Sequence, residues 1–173
     1  MRQLQHRNGL RRGFTLVELL IVVIILAILA AIVVPQFIAS TQDAEEAAVD
    51  TNLRNLRASI DLYYQQHGEY PAANGDGTNG ADTDLAFIAQ MTQYTDKDGD
   101  VAAQKDATHI YGPYLRRSSL PPDPILKNTA LVIVTGAGKG TLPVPADGTD
   151  PGGWKFDSQA GQIILNHSGY ATR

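Results

Sequence analysis

The sequence predicts an α+β fold, in which one very long N-terminal helix packs part of its length on a small antiparallel sheet. Three observations lead there. Residues 14–34 are apolar apart from Thr15 and a single acid, Glu18. Residues 36–67 then place Val49, Leu53, Leu56, Ile60, Tyr63 and His67 at spacings of 4, 3, 4, 3 and 4, which is one helical face. The C-terminal third holds three short runs rich in β-branched and aromatic residues, separated by glycine and proline. Helices and strands segregated along the chain read as α+β.

The first element is a continuous helix from about Phe14 to His67, about 80 Å long at the standard rise. Leu19 to Val34 gives sixteen consecutive apolar residues, so this half is greasy on every side. Phe14 to Val34 spans about 31 Å, the thickness of a bilayer's hydrocarbon layer. Placing a carboxylate such as Glu18 in that layer costs about 2.5–3.5 kcal/mol, so it calls for a partner. Pro35 lacks a backbone donor and is expected to kink or loosen the helix locally. Beyond it the helix turns amphipathic. Asp50 with Arg54, and Arg57 with Asp61, stand at i,i+4. Gly68 and Pro71 supply the stop.

Residues 68–84 are a loop of glycine, asparagine and aspartate. Residues 85–94 suit a short helix with Leu85, Ile88 and Met91 facing the core, and residues 95–124 read as loop. Strands are expected over 129–135, 153–157 and 162–166, the last two joined by a Ser158–Gly161 turn. Trp154 is expected in the core.

Composition narrows the function. The 173 residues contain no cysteine, which removes disulfides, thiolate metal sites and cysteine nucleophiles. Four of the 14 basic residues (Arg2, Arg7, Arg11, Arg12) lie in residues 1–13, with none of the 18 acids. The remainder carries ten bases against eighteen acids, so the head is not expected to bind nucleic acid. The basic-then-apolar order fits a signal or a signal anchor. No small-residue cleavage site follows the apolar run, which favours the anchor, with its basic end cytoplasmic.

Arg11-Arg12-Gly13-Phe14-Thr15-Leu16-Val17-Glu18 resembles the processing motif of type IV pilins and pseudopilins, a likeness that extends over residues 11–37. It implies that a prepilin peptidase cuts between Gly13 and Phe14 and that Phe14 is then N-methylated. It further implies that Glu18 pairs with the terminal amine of a neighbouring subunit during assembly. Pro35 falls on a proline common in that family. Residues 1–13 would be a cleaved leader, 14–35 the transmembrane and assembly half of the helix, and 36–173 a periplasmic or extracellular head of pilin-like fold. Gly112–Leu115, Leu120–Pro124 and Gly152–Asp157 resemble, more loosely, the heads of major pseudopilins.

The resemblance implies a structural subunit, not an enzyme. The subunit is stored in the bacterial inner membrane and polymerised with its own copies on a platform driven by a cytoplasmic ATPase, alongside minor pilins or pseudopilins. The favoured version is the pseudopilus of a type II secretion system. The alternatives are a type IV pilus for adhesion, motility or DNA uptake, or a membrane-tethered binding module that does not polymerise.

Other chemistry has weaker support. Asp96-Lys97-Asp98-Gly99-Asp100 invites a calcium reading but lacks the glycine and glutamate of an EF-hand. The family resemblance makes Asp147 and Asp150 alternative candidates, and no cofactor is otherwise expected. Gly136–Thr141 has the flavour of a phosphate loop, but Gly140 follows Lys139 where Ser or Thr is required. His6, His67, His109 and His167 lack zinc-site spacing.

Overall fold

The computed structural model describes residues 13–171. The leader expected over residues 1–13, with its four arginines, therefore lies almost wholly outside the described residues. The elements in order are helix α1 (Leu16–His67), helix α2 (Asp84–Thr92), strands β1 (Tyr94–Thr95), β2 (Val101–Ala102) and β3 (Leu131–Ile133), a 3-10 turn at Gly136–Gly138, and strands β4 (Trp154–Phe156) and β5 (Ile163–Leu165). The chain divides into two units, one ending at Asp43 and the other formed by Ala44–Arg173. Helix α1 contributes to both.

In the first unit every described side chain is exposed. An 18-residue window of α1 there has a mean hydropathy of 3.4, enough in length and composition to cross a membrane. The helix is unbroken through Pro35. Beside that proline, Val33, Val34, Phe37 and Ile38 line an apolar groove of 470 Å³.

In the second unit α1 is amphipathic, and its buried residues are those the periodicity picks out: Val49, Leu53, Leu56, Ile60 and Tyr63. They join Phe87, Met91, Leu120, Trp154, Phe156, Ile163 and Leu165 in one core. Trp154 is fully buried, and its indole N–H donates to the Pro121 carbonyl at 2.8 Å. Arg57 reaches across to the Ile163 carbonyl at 3.2 Å, tying the helix to β5.

Helix α2 begins at Thr83, whose hydroxyl accepts the Ala86 N–H at 3.1 Å as an N-cap. Its inward face includes Met91 and, in part, Ile88 as expected, and departs from the expected one at Leu85. Phe87, Gln90 and Met91 are buried, whereas Leu85 is 59% exposed and Ile88 is only partly covered. Phe87 offers more apolar area than Leu85 and meets Phe156 edge-on at 4.8 Å. Gln90 is drawn inward as a clamp, accepting from Ala72 N–H and donating to the Gly75 and Gly99 carbonyls.

Two further corrections concern the strands. The loop expected over 95–124 contains the β1–β2 antiparallel hairpin at its start. The main sheet has the order β3-β4-β5, antiparallel between β4 and β5 but parallel between β3 and β4. Twenty residues separate β3 from β4, enough for the crossover a parallel pair requires, whereas the six residues between β4 and β5 enforce reversal. Gly161 in that turn has φ +71°, and a β-carbon there would collide with the Tyr70 ring.

Candidate functional site

Helix α1 starts where Thr-x-x-Glu allows it. Thr15 sits just before the first helical residue, and its carbonyl accepts from Leu19 N–H. Glu18 Oε2 accepts from both the backbone N–H and the hydroxyl of Thr15, each at 2.8 Å. Glu18 N–H in turn donates to Thr15 Oγ1 at 3.2 Å. This is a reciprocal capping box, which satisfies donors that a helix start leaves open. Sequence reasoning singled out Glu18 and missed Thr15, although Thr15–Glu18 spells the motif. Glu18 Oε1 accepts nothing among the described residues, so one carboxylate oxygen remains available on an exposed surface.

Gly13 and Phe14 precede the helix and belong to no helix or strand, and a β-carbon at Gly13 would meet nothing within 4 Å. Phe14 is 76% exposed. The Gly13–Phe14 peptide bond thus stands in open space at the edge of the helical run, where an external protein can reach it. Glu18 is one turn further on, and Pro35 closes the apolar stretch without ending the helix.

The head places its carboxylates where a disulfide-free chain needs ties. Asp123, within Leu120–Pro124, is buried and accepts four backbone N–H groups, from Ile125, Leu126, Asn128 and Gly153. Burial pushes its carboxyl pKa up, but these donors outweigh burial and hold it below the usual value. Gly153 has φ +75°, and a β-carbon there would overlap the Ala130 carbonyl. The Leu120–Pro124 and Gly152–Asp157 segments are therefore two ends of one tie. Asp147 accepts from Lys155 Nζ at 2.7 Å and Asn166 Nδ2 at 2.9 Å, and these bonds lower its pKa. Asp150 accepts from Ser168 N–H and Oγ–H.

The cation candidates are accordingly engaged in protein contacts. Both Asp147 oxygens have partners, and Asp96 Oδ1 closes its own turn by accepting from Asp98 N–H and Asp100 N–H. Among the described residues no three of His, Cys, Asp and Glu converge for a metal ion. Lys139, the lysine of the glycine-rich stretch, is held by both oxygens of Asp82 at 2.7 and 2.8 Å. His67 is half-buried at the end of α1, stacked on Tyr63 and within hydrogen-bond distance of Tyr114 Oη, Thr95 Oγ1 and the Lys97 carbonyl. Burial lowers its pKa, partly offset by that carbonyl and by Asp96.

Comparison with known proteins bears on the N-terminal segment first. Residues 9–34 match the family described as "Prokaryotic N-terminal methylation motif". The chain is 35% identical to a fimbrial protein of Neisseria meningitidis over 45% of its own length and 46% of that protein's. It is 36% identical to type II secretion system core protein G of Klebsiella pneumoniae over 35% of this chain and 44% of the relative. These matches span about half the length of the relatives concerned. With core protein G of Pectobacterium carotovorum the identity is 26%, over 88% of this chain and 91% of the relative. No solved structure matches the chain. The chain is thus similar to type IV pilins and pseudopilins: it carries their methylation motif at the head of an exposed apolar helix, and its likeness to a type II secretion core protein extends over most of its length.

Proposed function

We propose that this chain is the structural subunit of a helical filament, the pseudopilus of a type II secretion system. The carrying observation is that α1 keeps every side chain exposed from Leu16 to Ala44, including sixteen consecutive apolar residues, with Glu18 as the charge at their head. Nothing within its own unit covers that surface, so it requires lipid or sister copies. Extraction from the first environment into the second is the assembly step. The precursor capping box keeps Glu18 partly compensated, and cleavage at Gly13–Phe14 would create an amine that the open Oε1 of a neighbouring subunit can receive. Methylation of Phe14 would retain that positive charge.

In this reading the leader is removed by a prepilin peptidase, the head faces the periplasm, and a cytoplasmic ATPase drives assembly through an inner-membrane platform with minor pseudopilins. Contacts between different patches of identical subunits produce an open helix. The secretion version is favoured over a surface pilus because the Pectobacterium core protein G alignment runs through the head, whereas the fimbrial alignments cover 45% and 60% of this chain. Those fimbrial relatives keep the type IV pilus as the second reading.

Mass spectrometry of the membrane-extracted protein tests the reading. The expected species begins at Phe14 and carries one methyl group. A chain starting at Met1, or beyond Val34, would contradict it. Deleting the protein and finding secreted enzymes trapped in the periplasm would separate secretion from a pilus, which predicts lost surface fibres instead.

A further inference from the structure

We propose that the head carries a basic docking groove at Arg116-Arg117, and that its occupant is the acidic β1–β2 turn of a second copy of this chain. The proposal rests on the filament reading and assigns one of its lateral contacts. Beyond residue 13 the chain holds ten bases against eighteen acids, so two adjacent free arginines are uncommon on it. Both are exposed, and neither forms a hydrogen bond or ion pair among the described residues. They stand between two depressions. One of 530 Å³ is floored by Leu85, Ile88 and Thr92 of α2, and one of 290 Å³ borders Asn52 and Leu56 of α1. Leu85, left 59% exposed, gives the larger depression an apolar wall beside the two cations. A short acidic turn with a small apolar footprint suits such a site.

The β1–β2 turn has that character. Asp96, Asp98 and Asp100 outnumber Lys97, and the Asp98 and Asp100 carboxylates are exposed and accept no hydrogen bond among the described residues. The turn is already rigid. Asp96 Oδ1 accepts the Asp98 and Asp100 N–H groups at 2.9 Å each, and Asp96 N–H donates to the Asp100 carbonyl at 3.0 Å. Gly99, with φ +92°, lies so close to Tyr63 Oη and Gln90 that a β-carbon would crowd both. A preformed turn loses little entropy on docking.

The two patches are distinct on one subunit. The groove borders α1 at Asn52–Leu56, whereas the turn borders it at Tyr63–His67. A spacing of about eleven residues along a helix is roughly 16 Å. Unlike patches that recognise each other across copies make a heterologous contact, which propagates and does not close as a two-fold dimer.

Because the chain has no cysteine, one engineered pair reports on this contact alone. The Ser118→Cys/Asp98→Cys variant of the full chain, oxidised in sheared filaments, should give a ladder of covalent multimers, and each single variant should give none. Arg116→Glu/Arg117→Glu should lower filament yield about tenfold through like-charge contact. Adding Asp98→Lys/Asp100→Lys in the same chain should restore it. Filaments at normal yield, with no ladder and with the thiol at position 118 open to a water-soluble reagent, would overturn the contact and leave the filament reading standing. An absence of filaments from the unmodified chain would overturn both.

Discussion

The two stretches of α1 share a secondary structure and almost nothing else. From Leu16 to Asp43 no side chain is buried, while from Ala44 to His67 five are, at helical spacing. Intrinsic propensity does not account for the first stretch, which is crowded with β-branched Ile and Val yet is helical throughout. The difference is where each finds its cover. The head stretch is completed by Phe87, Trp154, Phe156 and β5 of its own chain. The apolar stretch has no such cover in its own unit, and a reciprocal polar arrangement, Thr15 with Glu18, stands at its start. One helix thus carries, in series, a face that the chain's own fold covers and an apolar surface that its own unit leaves open.

That contrast can be broken by truncating each surface in turn. Leu53→Ala should cost the head about 2–5 kcal/mol, through lost burial and the cavity left behind. Leu26→Ala should leave the head's thermal midpoint unchanged and be felt only in filament yield. Equal losses in a melt of the two detergent-solubilised variants would erase the distinction. Asp123→Ala comes next, at about 1–3 kcal/mol, because it strands buried N–H donors of the Pro124–Asn128 turn and Gly153. Its expected signature is faster amide exchange at Ile125, Leu126, Asn128 and Gly153 before global unfolding.

Thr15→Ala sharpens the comparison from the other end. Loss of an N-cap costs about 1 kcal/mol, confined here to the first turn of α1. Amide exchange in detergent should quicken at Val17 and Glu18 while the head's melt is unmoved, and Thr15→Ser should behave as the parent.

The smallest effect is that of pH on the head. His67 has a lowered pKa, so the unfolded chain takes up a proton that the folded one resists. Its contribution is complete above about pH 6.5 and is lost as pH falls from there through the folded value. Asp76, Asp123 and Asp147 also have lowered pKa values, so their contribution persists to about pH 4 and is lost below it as each protonates. A melting series should decline in that order, and His67→Gln should remove the first step.

Much of this was legible in the residues because periodicity and hydropathy act locally. The buried face of α1 follows from spacing, the burial of Trp154 from its large aromatic ring, and the β4–β5 turn from its Ser-Gln-Ala-Gly residues. The parallel register of β3 was not, because pairing direction depends on how a twenty-residue crossover returns. Leu85 and Phe87 were both eligible to face inward, and Phe87 is the one that meets Phe156, 69 positions further along the chain. The Asp123–Gly153 and Asp147–Asn166 ties are likewise long-range, and a lone aspartate near prolines or glycines looks the same whether it binds a cation, caps a turn or meets another side chain. Thr15 is the exception, a short-range signal in plain view that the single charge of Glu18 overshadowed.

The central claim is that the apolar stretch is completed by sister copies, with Glu18 meeting a neighbour's amine. Filament yield of Glu18→Ala against the parent, normalised to the processed subunit held in the membrane, tests it most directly. The account predicts wild-type subunit levels, a methylated Phe14 terminus and very few filaments. Normal yield from that variant would contradict it.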